Sequence, residues 1–422
     1  MLSNEQLKQI LLEQKESLLS KPEKIVRSKL SEVGNYLKLP HVIVITGLRR
    51  VGKSTFLRQI IKEFFDDKNF YYINFEDERL LNFKTENFNE LYETLIELFG
   101  VHKTFFIDEI QNVENFQNFI RRFYDDGYKF FITGSNANLL SREIGSKLTG
   151  RHLDITINPF SFAEYLGLNE ITIHENSAYI SEEKGKIKKA FEEYLIKGGM
   201  PEYLIYGERE ILTRVYEDIV IKDIAVRNGI SNIYEMRELF QYLITNFANR
   251  FSFTKVQKLV KLGSVNTVKN YIHNLAETYF VSIVNKYDHS LKKQLANEKK
   301  LYVIDNGFIP LISTRVTKDY GWFLENLVFN ELNKHNNVYY FNELKTECDF
   351  LIERNKQFSA FQVCWELTSD NLKREQNGLI AAMKYFGLSE GTILTNSQEE
   401  NLHTEAGEIK VLPVWKWLLK IS

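Results

Sequence analysis

Residues 47–55 read Gly47-Leu48-Arg49-Arg50-Val51-Gly52-Lys53-Ser54-Thr55, and this stretch decides the fold predicted for the first part of the chain. It satisfies the pattern G-x-x-x-x-G-K-[ST]. The two glycines let backbone N–H groups close around phosphate oxygens, and Lys53 supplies a positive charge for the β- and γ-phosphates. The Ser54 hydroxyl is the expected Mg²⁺ ligand, and the following helix presents its positive N-terminus. The stretch therefore predicts a binding loop for a nucleoside triphosphate.

The sequence around the loop supports this prediction. An apolar run over residues 42–45 precedes the loop, and a helical pattern of apolar residues follows it over 56–65. Further along, residues 104–109 read Thr-Phe-Phe-Ile-Asp-Glu, a buried-strand pattern that ends in two carboxylates. We expect Asp108 to hold Mg²⁺ beside Ser54. Glu109 is expected to polarise the attacking water as a general base.

Composition sets broad limits on the class of protein. The 422 residues have a formal net charge of −2, so no chain-wide basic field indicates nucleic acid, and any such surface must be local. Two cysteines, Cys348 and Cys364, are too few for a disulfide scaffold and suit a reducing compartment. The N-terminus lacks the apolar core of a signal peptide, and no run reaches 18 apolar residues. We expect a soluble, cytoplasmic protein with no membrane partner.

Strand and helix patterns alternate after the loop. Candidate strands lie at residues 41–46, 70–75, 104–107, 128–133 and 153–157, with helical stretches between them. This alternation predicts an α/β fold with a parallel sheet wrapped by helices. In the sequence, the strand at 70–75 lies between the loop strand and the Asp-Glu strand. Together with Glu109, this arrangement resembles the additional-strand, catalytic-glutamate division of phosphate-loop ATPases, which includes the AAA+ proteins.

That resemblance assigns roles to two further segments. Residues 130–136, Phe-Phe-Ile-Thr-Gly-Ser-Asn, look like the AAA+ strand that ends in a polar sensor of the γ-phosphate. Thr133, Ser135 and Asn136 are all candidates, and the sequence does not choose among them. Residues 148–151, Leu-Thr-Gly-Arg, are similar to the segment that supplies an arginine finger. Arg151 would then act on a neighbouring subunit, which implies a homo-oligomer; a surface arginine after a turn is the alternative.

Around Pro159 the pattern changes to helices without strands, which predicts a helical lid. Residues 198–202, Gly-Gly-Met-Pro-Glu, break a helix and resemble the lid motif of signalling-type and origin-recognition-type AAA+ relatives. In those relatives the proline, here Pro201, packs near the nucleotide. An ordinary turn is the alternative interpretation.

Several segments, taken in order, resemble the prokaryotic archaeal-type AAA+ ATPases that carry a C-terminal domain of unknown function. They are the loop at 47–55, Phe-Ile-Thr-Gly-Ser-Asn, Leu-Thr-Gly-Arg, Pro-Phe-Ser-Phe-Ala-Glu-Tyr-Leu, Gly-Gly-Met-Pro-Glu-Tyr and Tyr-Glu-Asp-Ile-Val-Ile-Lys-Asp-Ile. The resemblance runs from about residue 25 to the end of the chain. It implies ATP and Mg²⁺ as cofactors, a helical lid, a winged helix and a nuclease-like tail.

Residues 236–304 read as three helices followed by two short strands, the order of a winged helix-turn-helix whose third helix enters the DNA major groove. This stretch is locally basic: residues 251–300 hold nine lysines and three acids, an excess of six. The wing would carry Lys286, Lys299 and Lys300 as further phosphate contacts. The predicted DNA-binding residues are Asn266, Thr267, Lys269, Asn270, His273, Lys292 and Lys293. A protein-interaction or lid module is the alternative.

The tail, residues 305–422, reads as helix, strand, strand, helix, strand and resembles the restriction-endonuclease-like nucleases. Such a site uses carboxylates to hold Mg²⁺ and a lysine to orient the water. Glu325 and Asp349 match the acidic positions, and Gln362 matches the first position of the second half-motif. Cys364 stands where that motif has lysine, and a neutral thiol cannot supply its charge. We therefore predict a degenerate and inactive nuclease site.

The predicted organisation has five parts: a helical segment (1–37), an AAA+ core (38–158), a helical lid (159–235), a winged helix (236–304) and the tail (305–422). The leading hypothesis is an Mg²⁺-dependent ATPase that acts on DNA. A nucleotide-gated switch with slow ATP turnover and a protein partner is the alternative from another class. An ATP-dependent nuclease is a third, against which the missing lysine counts.

Overall fold

The computed structural model describes residues 3–65, 69–134, 150–174, 176–314, 320–343 and 346–421. The chain divides into two units, Met1–Asn158 with Glu277–Tyr279 and Pro159–Ala276 with Phe280–Ser422. Among the described residues, no helix is both long and apolar enough to cross a membrane.

The first unit is built on a five-stranded parallel sheet, which confirms the predicted α/β class. The strands are β1 (Val42–Gly47), β2 (Tyr71–Asn74), β3 (Thr104–Asp108), β4 (Lys129–Thr133) and β5 (His152–Ile157). Their order in the sheet is β2-β3-β4-β1-β5. All neighbours pair in parallel, so the strands' carboxyl ends meet at one edge of the sheet. That edge brings the end of β1 close to the ends of β3 and β4.

Helices cover this sheet, as the near-continuous burial of its strands requires. They are α1 (Asn4–Ser20), α2 (Leu30–Leu37), α3 (Lys53–Phe64), α4 (Phe88–Phe99) and α5 (Gln117–Asp125). Aromatic rings make up much of the core: Phe105 stacks on Phe130 with ring centroids 5.1 Å apart, and Phe88 stacks on Phe119 at 4.3 Å. The packed core holds the carboxyl edge of the sheet in a fixed geometry.

The second unit begins with the helices predicted after Pro159 and adds a sheet. Its helices are α6 (Phe162–Leu168), α7 (Ser181–Lys197), α8 (Pro201–Tyr206), α9 (Arg209–Asp218), a π-helical stretch (Ile219–Val226), α10 (Ile233–Thr245), α11 (Phe253–Leu259), α12 (Val265–Glu277), α13 (Leu291–Ala296), α14 (Ile309–Ile312), α15 (Tyr320–Leu332), α16 (Leu372–Phe386) and α17 (Val414–Leu419). The sequence did not predict α13, which lies between the two strands expected to form the wing.

The second sheet runs across the predicted boundary between the winged helix and the tail. Its order is β13-β14-β12-β11-β10-β9-β7-β8-β6. The strands are β6 (Arg250–Phe251), β7 (Val281–Lys286), β8 (Lys299–Val303), β9 (Asn337–Glu343), β10 (Thr346–Arg354), β11 (Gln357–Val363), β12 (Glu390–Thr395), β13 (Glu400–Thr404) and β14 (Gly407–Pro413). Parallel pairing of β7 with β9 joins the two segments, so residues 236–304 and the tail share one sheet. The sequence did not predict β9.

Close backbone packing explains the glycine pair before α8. A Cβ atom at Gly198 would lie 1.9 Å from a carboxylate oxygen of Asp305, and one at Gly199 would lie 2.2 Å from the carbonyl oxygen of Phe160. The Gly199 N–H donates to Asp305 Oδ2 at 2.5 Å, and the Phe160 N–H donates to the Gly199 carbonyl at 2.7 Å. The motif therefore has a structural role within its own unit.

We expect Gly199→Ala to destabilise the protein by about 1–3 kcal/mol, because the added methyl group meets backbone that cannot move aside. Gly185→Ala in α7 is the matched control, since a Cβ there meets no atom within 4 Å. Alanine at that helical position should stabilise by about 0.5–1 kcal/mol. Urea unfolding of the full-length chain checks both changes. Equal midpoints for the two variants would contradict the packing explanation.

Candidate functional site

The loop at residues 47–55 leaves the central strand β1 and enters α3. Gly47 has φ +140°, and a Cβ there would lie 2.3 Å from the carbonyl oxygen of Ile157 on the neighbouring strand. Gly52 has φ +100°, a left-handed conformation that side chains disfavour. Both motif glycines are therefore needed for the backbone path. Leu48 and Val51 are buried, so these two loop residues can offer a ligand only their backbone groups.

Lys53 is the first residue of α3 and lies inside the loop. Its side chain is 4 % exposed, and Nζ donates to the carbonyl oxygens of Gly47 at 3.3 Å and Leu48 at 3.1 Å. The same ammonium lies 3.9 Å from Glu109 Oε1. A fixed positive charge at the N-terminus of a twelve-residue helix is a favourable anion environment.

Asp108 ends β3 and is the most constrained carboxylate of the edge. It is 1 % exposed, and it accepts hydrogen bonds from the hydroxyls of Thr133 and Ser54. Burial, and then the charge of Glu109, raise the pKa of Asp108 to about 6, against the opposing effects of both hydroxyls and of Lys53. The structure thus brings Ser54 and Asp108 together, as the sequence predicted. Hydroxyl and carboxylate oxygens are hard ligands that fit Mg²⁺.

Glu109 follows in a left-handed conformation, with φ 51° and ψ 46°. This turn separates its side chain from that of Asp108. Its N–H donates to Thr133 Oγ1 at 2.9 Å, and its carboxylate accepts from the Gln111 amide. Thr133 therefore orients both acidic residues through one buried hydroxyl. It was one of three candidate sensors; Ser135 and Asn136 lie outside the described residues.

Arg27, which no sequence motif indicated, lies behind the loop. Its side chain is 5 % exposed and donates to the carbonyls of Val51, at 3.4 Å, and Asn158. Its backbone N–H donates to Gln59 on α3 at 3.0 Å. The arginine thus ties the segment before α2 to the loop. The sequence shows that residue 27 is an arginine, but it does not indicate that its side chain contacts the carbonyls of Val51 and Asn158.

Two other predicted residues of this unit have protein partners. Arg151 Nη1 lies 2.8 Å from Asp125 Oδ1, and its guanidinium lies over the Tyr124 ring at 5.4 Å. The Arg151 side chain is 42 % exposed, so this pair is on the surface of its own unit. Arg49 Nη1 lies 3.9 Å from Glu76 Oε1. Arg50 has φ 63°, while Thr55 is half-buried at the start of α3.

In the second unit, Pro201 is buried at the first position of α8, where its missing N–H costs nothing. Most of the residues predicted to contact DNA are exposed on α12 and α13: Asn266, Lys269, Asn270, His273, Lys292 and Lys293. Thr267 is half-buried, and its N–H donates to the cap residue Ser264 at 3.0 Å.

Two lysines assigned to the wing are not available for phosphate. Lys299 is 4 % exposed and Lys300 is 2 % exposed, so the prediction that they grip DNA is wrong. The Lys299 ammonium donates to the carbonyl of Gln294. Period-two alternation could not reveal this, because both sides of β8 are covered in the folded unit.

The residues predicted for the degenerate nuclease site do assemble, with Lys300 as an unexpected member. Lys300 Nζ lies 3.2 Å from Glu325 and 3.4 Å from Asp349. Although burial by itself lowers the pKa of Lys300, these carboxylates raise it well above its ordinary value. Burial, and next the charge of Glu325, raise the pKa of Asp349.

Gln362 lies beside Asp349: the backbone N–H of Asp349 donates to the side-chain oxygen of Gln362 at 3.2 Å. The side-chain amide of Gln362 donates to Glu375 at 2.7 Å. Cys364 belongs to the hydrophobic core of the tail, and burial raises the pKa of its thiol to about 12. The thiol is therefore neutral at the position where the sequence pattern expects lysine. Among the described residues, no group of three or more His, Cys, Asp or Glu side chains is arranged to hold a metal ion.

Two family models match parts of the chain. A family model described as an AAA domain matches residues 40–166. A second model, described as a domain of unknown function, matches residues 188–318. The second match covers the segment from α7 to α14 and so includes the predicted winged helix but almost none of the tail.

Two full-length relatives resemble most of the chain. An uncharacterized protein of Methanocaldococcus jannaschii is 36% identical over 396 residues, covering 89% of this chain and 88% of its own. An uncharacterized protein of Haemophilus influenzae is 28% identical over 391 residues, covering 89% and 94%. Among solved structures, the ORC2 protein of Aeropyrum pernix in its ADP form matches with a TM-score of 0.35 and 12% identity, covering 69% of this chain and 95% of that one. The chain belongs to the same family as the Methanocaldococcus jannaschii protein, and its residues 40–166 match an AAA domain.

Proposed function

We propose that the protein binds ATP with Mg²⁺ at residues 47–55 and hydrolyses it. One observation carries the proposal: Lys53, the Ser54–Asp108 pair and Glu109 meet at the carboxyl edge of the parallel sheet. The AAA domain matched at residues 40–166 supports it. These residue types, in this arrangement, serve phosphate binding, metal binding and water activation.

Each residue has a distinct part in this proposal. The backbone N–H groups of the loop and the Lys53 ammonium bind the β- and γ-phosphates. Ser54 and Asp108 hold Mg²⁺, which supplies charge neutralisation at the phosphates. Glu109 accepts a proton from the attacking water, and Thr133 fixes the direction of Glu109 through its backbone N–H. Arg27 is a positioning residue that holds the Val51 carbonyl on the far side of the loop.

Lys53→Ala should weaken ATP binding about 10- to 100-fold, because a charge-assisted contact to phosphate contributes about 1.5–3 kcal/mol. Glu109→Gln should keep ATP affinity and lower turnover by about 100-fold or more, since it removes only the base. Lys62→Ala, near the end of α3, is the control and should match wild type. Fluorescent-nucleotide titration and phosphate release separate the two effects. Wild-type turnover in Glu109→Gln would refute the assignment of the base.

We also propose that the protein acts as a homo-oligomer in which Arg151 serves the ATP site of a neighbouring subunit. The exposed position of Arg151 supports this, although the side chain must first leave Asp125. An arginine that acts on transferred phosphate contributes to turnover rather than to ATP affinity.

Arg151→Ala should therefore lower turnover at least tenfold with nearly unchanged ATP affinity. The variant removes a positive charge that stabilises the phosphoryl group in the transition state but does not hold bound ATP. Asp125→Ala is the matched control: it breaks the same surface ion pair yet leaves the arginine in place. Mixing Arg151→Ala with Lys53→Ala chains should restore part of the activity through hybrid interfaces. If Arg151→Ala and Asp125→Ala lose the same turnover, and mixing restores none of it, Arg151 acts only through its surface ion pair with Asp125 and not at a neighbouring ATP site.

The finer proposal is that ATP turnover is coupled to DNA contacts made by a winged helix at residues 236–304. The exposed polar face of α12 and the exposed lysines of α13 support it. Because Lys299 and Lys300 are buried, fewer of the nine lysines in residues 251–300 are available to contact DNA phosphates. The proposed DNA contact is correspondingly small. A small phosphate contact has a modest but measurable dependence on salt.

Duplex, branched or single-stranded DNA should then raise the rate of ATP hydrolysis. The double variant Lys292→Glu/Lys293→Glu should lose this stimulation and lower the salt slope of binding by about 2, one unit for each phosphate contact. Lys186→Glu/Lys189→Glu on α7 is the charge-matched control and should behave as wild type. Turnover that no DNA changes would favour the nucleotide-gated switch instead.

A further inference from the structure

The tail contains a cluster of buried charges that the ATP site does not use. Three carboxylates converge on one ammonium: Lys300 Nζ lies 2.9 Å from Glu347, 3.2 Å from Glu325 and 3.4 Å from Asp349. Lys300 comes from β8, Glu325 from α15, and the other two acids from β10. Four side chains from three elements thus share one buried centre.

The Lys300 ammonium donates hydrogen bonds to Glu325 and Asp349 and forms an ion pair with Glu347. An ammonium has three N–H donors, and three carboxylates stand within ion-pair distance of Lys300. Burying such a charge without partners is very unfavourable, so these contacts are what permit a lysine to be 2 % exposed. The Lys300 ammonium also lies over an aromatic ring, with Nζ 5.8 Å from the centroid of Tyr340.

The carboxylates have other protein partners as well. The Tyr302 hydroxyl donates to Glu325 Oε1 at 2.7 Å, and the Val363 N–H donates to Asp349 Oδ2 at 3.1 Å. Arg250 Nε lies 3.2 Å from Glu347 Oε2. A divalent cation at this position would need the same oxygens.

The three carboxylates lie at the surface of a cleft. Glu325, Glu347 and Asp349 line an open cleft of about 920 Å³, together with Gln362 and residues of α16. Lys300 is buried and is absent from the lining, so it approaches the carboxylates from the interior. A solvent cation arriving through the cleft would meet carboxylates that already share the Lys300 ammonium.

We propose that Lys300 is the fixed internal cation of this cluster, takes the place of a divalent metal ion, and keeps the cluster closed to Mg²⁺ and Mn²⁺. The tail then has no metal-dependent chemistry, and the same contacts bind β8 to α15 and β10. This inference goes beyond the proposed ATPase activity and does not depend on it.

Titration of full-length protein with Mn²⁺ alone, followed by electron paramagnetic resonance of the free ion, tests the proposal. Wild type and Asp349→Asn should bind Mn²⁺ identically, because the tail offers no site. Lys300→Met should gain one Mn²⁺ per chain, at least tenfold tighter than any site of wild type, and Asp349→Asn in that background should abolish it. Lys300→Arg keeps the cation and should gain nothing.

Melting temperatures give a second readout, since an ion that binds only the folded chain stabilises it. Mn²⁺ should raise the melting temperature of Lys300→Met and leave that of wild type unchanged. Should Lys300→Met fail to fold, the comparison of wild type with Asp349→Asn still tests whether the cluster is closed to Mn²⁺. The proposal is overturned by Mn²⁺ binding in wild type that Asp349→Asn removes, or by a folded Lys300→Met without the additional ion.

The same comparison extends to cleavage. Wild type and Asp349→Asn should both leave plasmid, linear and branched DNA intact with Mg²⁺ or Mn²⁺ present, because the Lys300 ammonium occupies the centre of the three carboxylates where the ion would bind. Cleavage by wild type that disappears in Asp349→Asn would show that Lys300 does not close the cluster and that the tail is a nuclease.

Discussion

The parallel pairing of β1 with β4 on one side and β5 on the other is the constraint on which the candidate site depends. It places the end of β1 so close to β5 that Gly47 has no room for a side chain. The chain must therefore turn through a glycine-rich loop before α3 can begin. The same pairing puts Asp108 and Thr133 beside that loop, because parallel strands end at one edge. The positions of the loop, Asp108 and Thr133 therefore follow from the same strand pairing.

Two buried lysines, Lys53 and Lys300, differ in the groups that surround their ammonium nitrogens. Lys53 donates to two backbone carbonyls and has a carboxylate at 3.9 Å. Lys300 has three carboxylates at 2.9–3.4 Å. The first ammonium donates to backbone oxygens of the loop, whereas the second lies among side-chain carboxylates. Counting lysines in the sequence cannot separate these cases, since the difference lies in what surrounds each ammonium.

In the second unit, one continuous sheet contains strands from residues 236–304 and from the tail. Three sets of contacts join β8 and its neighbours to the tail. They are the parallel pairing of β7 with β9, the ion pairs of Lys300, and two hydrogen bonds of 2.8 Å between Asn326 and the backbone of Val303. Residues 236–304 and the tail are therefore joined within one sheet and do not form separate domains.

The sequence by itself determined the features that arise from local spacing. It predicted the phosphate loop, the strand ending in Asp108 and Glu109, and the five strands of the first sheet, because apolar periodicity and turn chemistry are written in consecutive residues. Only the tertiary structure decided that Arg27 supports the loop, that Thr133 bridges both acids, and that Lys300 enters the tail cluster. Those contacts join residues 24 to 131 positions apart, and which buried charge meets which partner depends on the packing of whole elements.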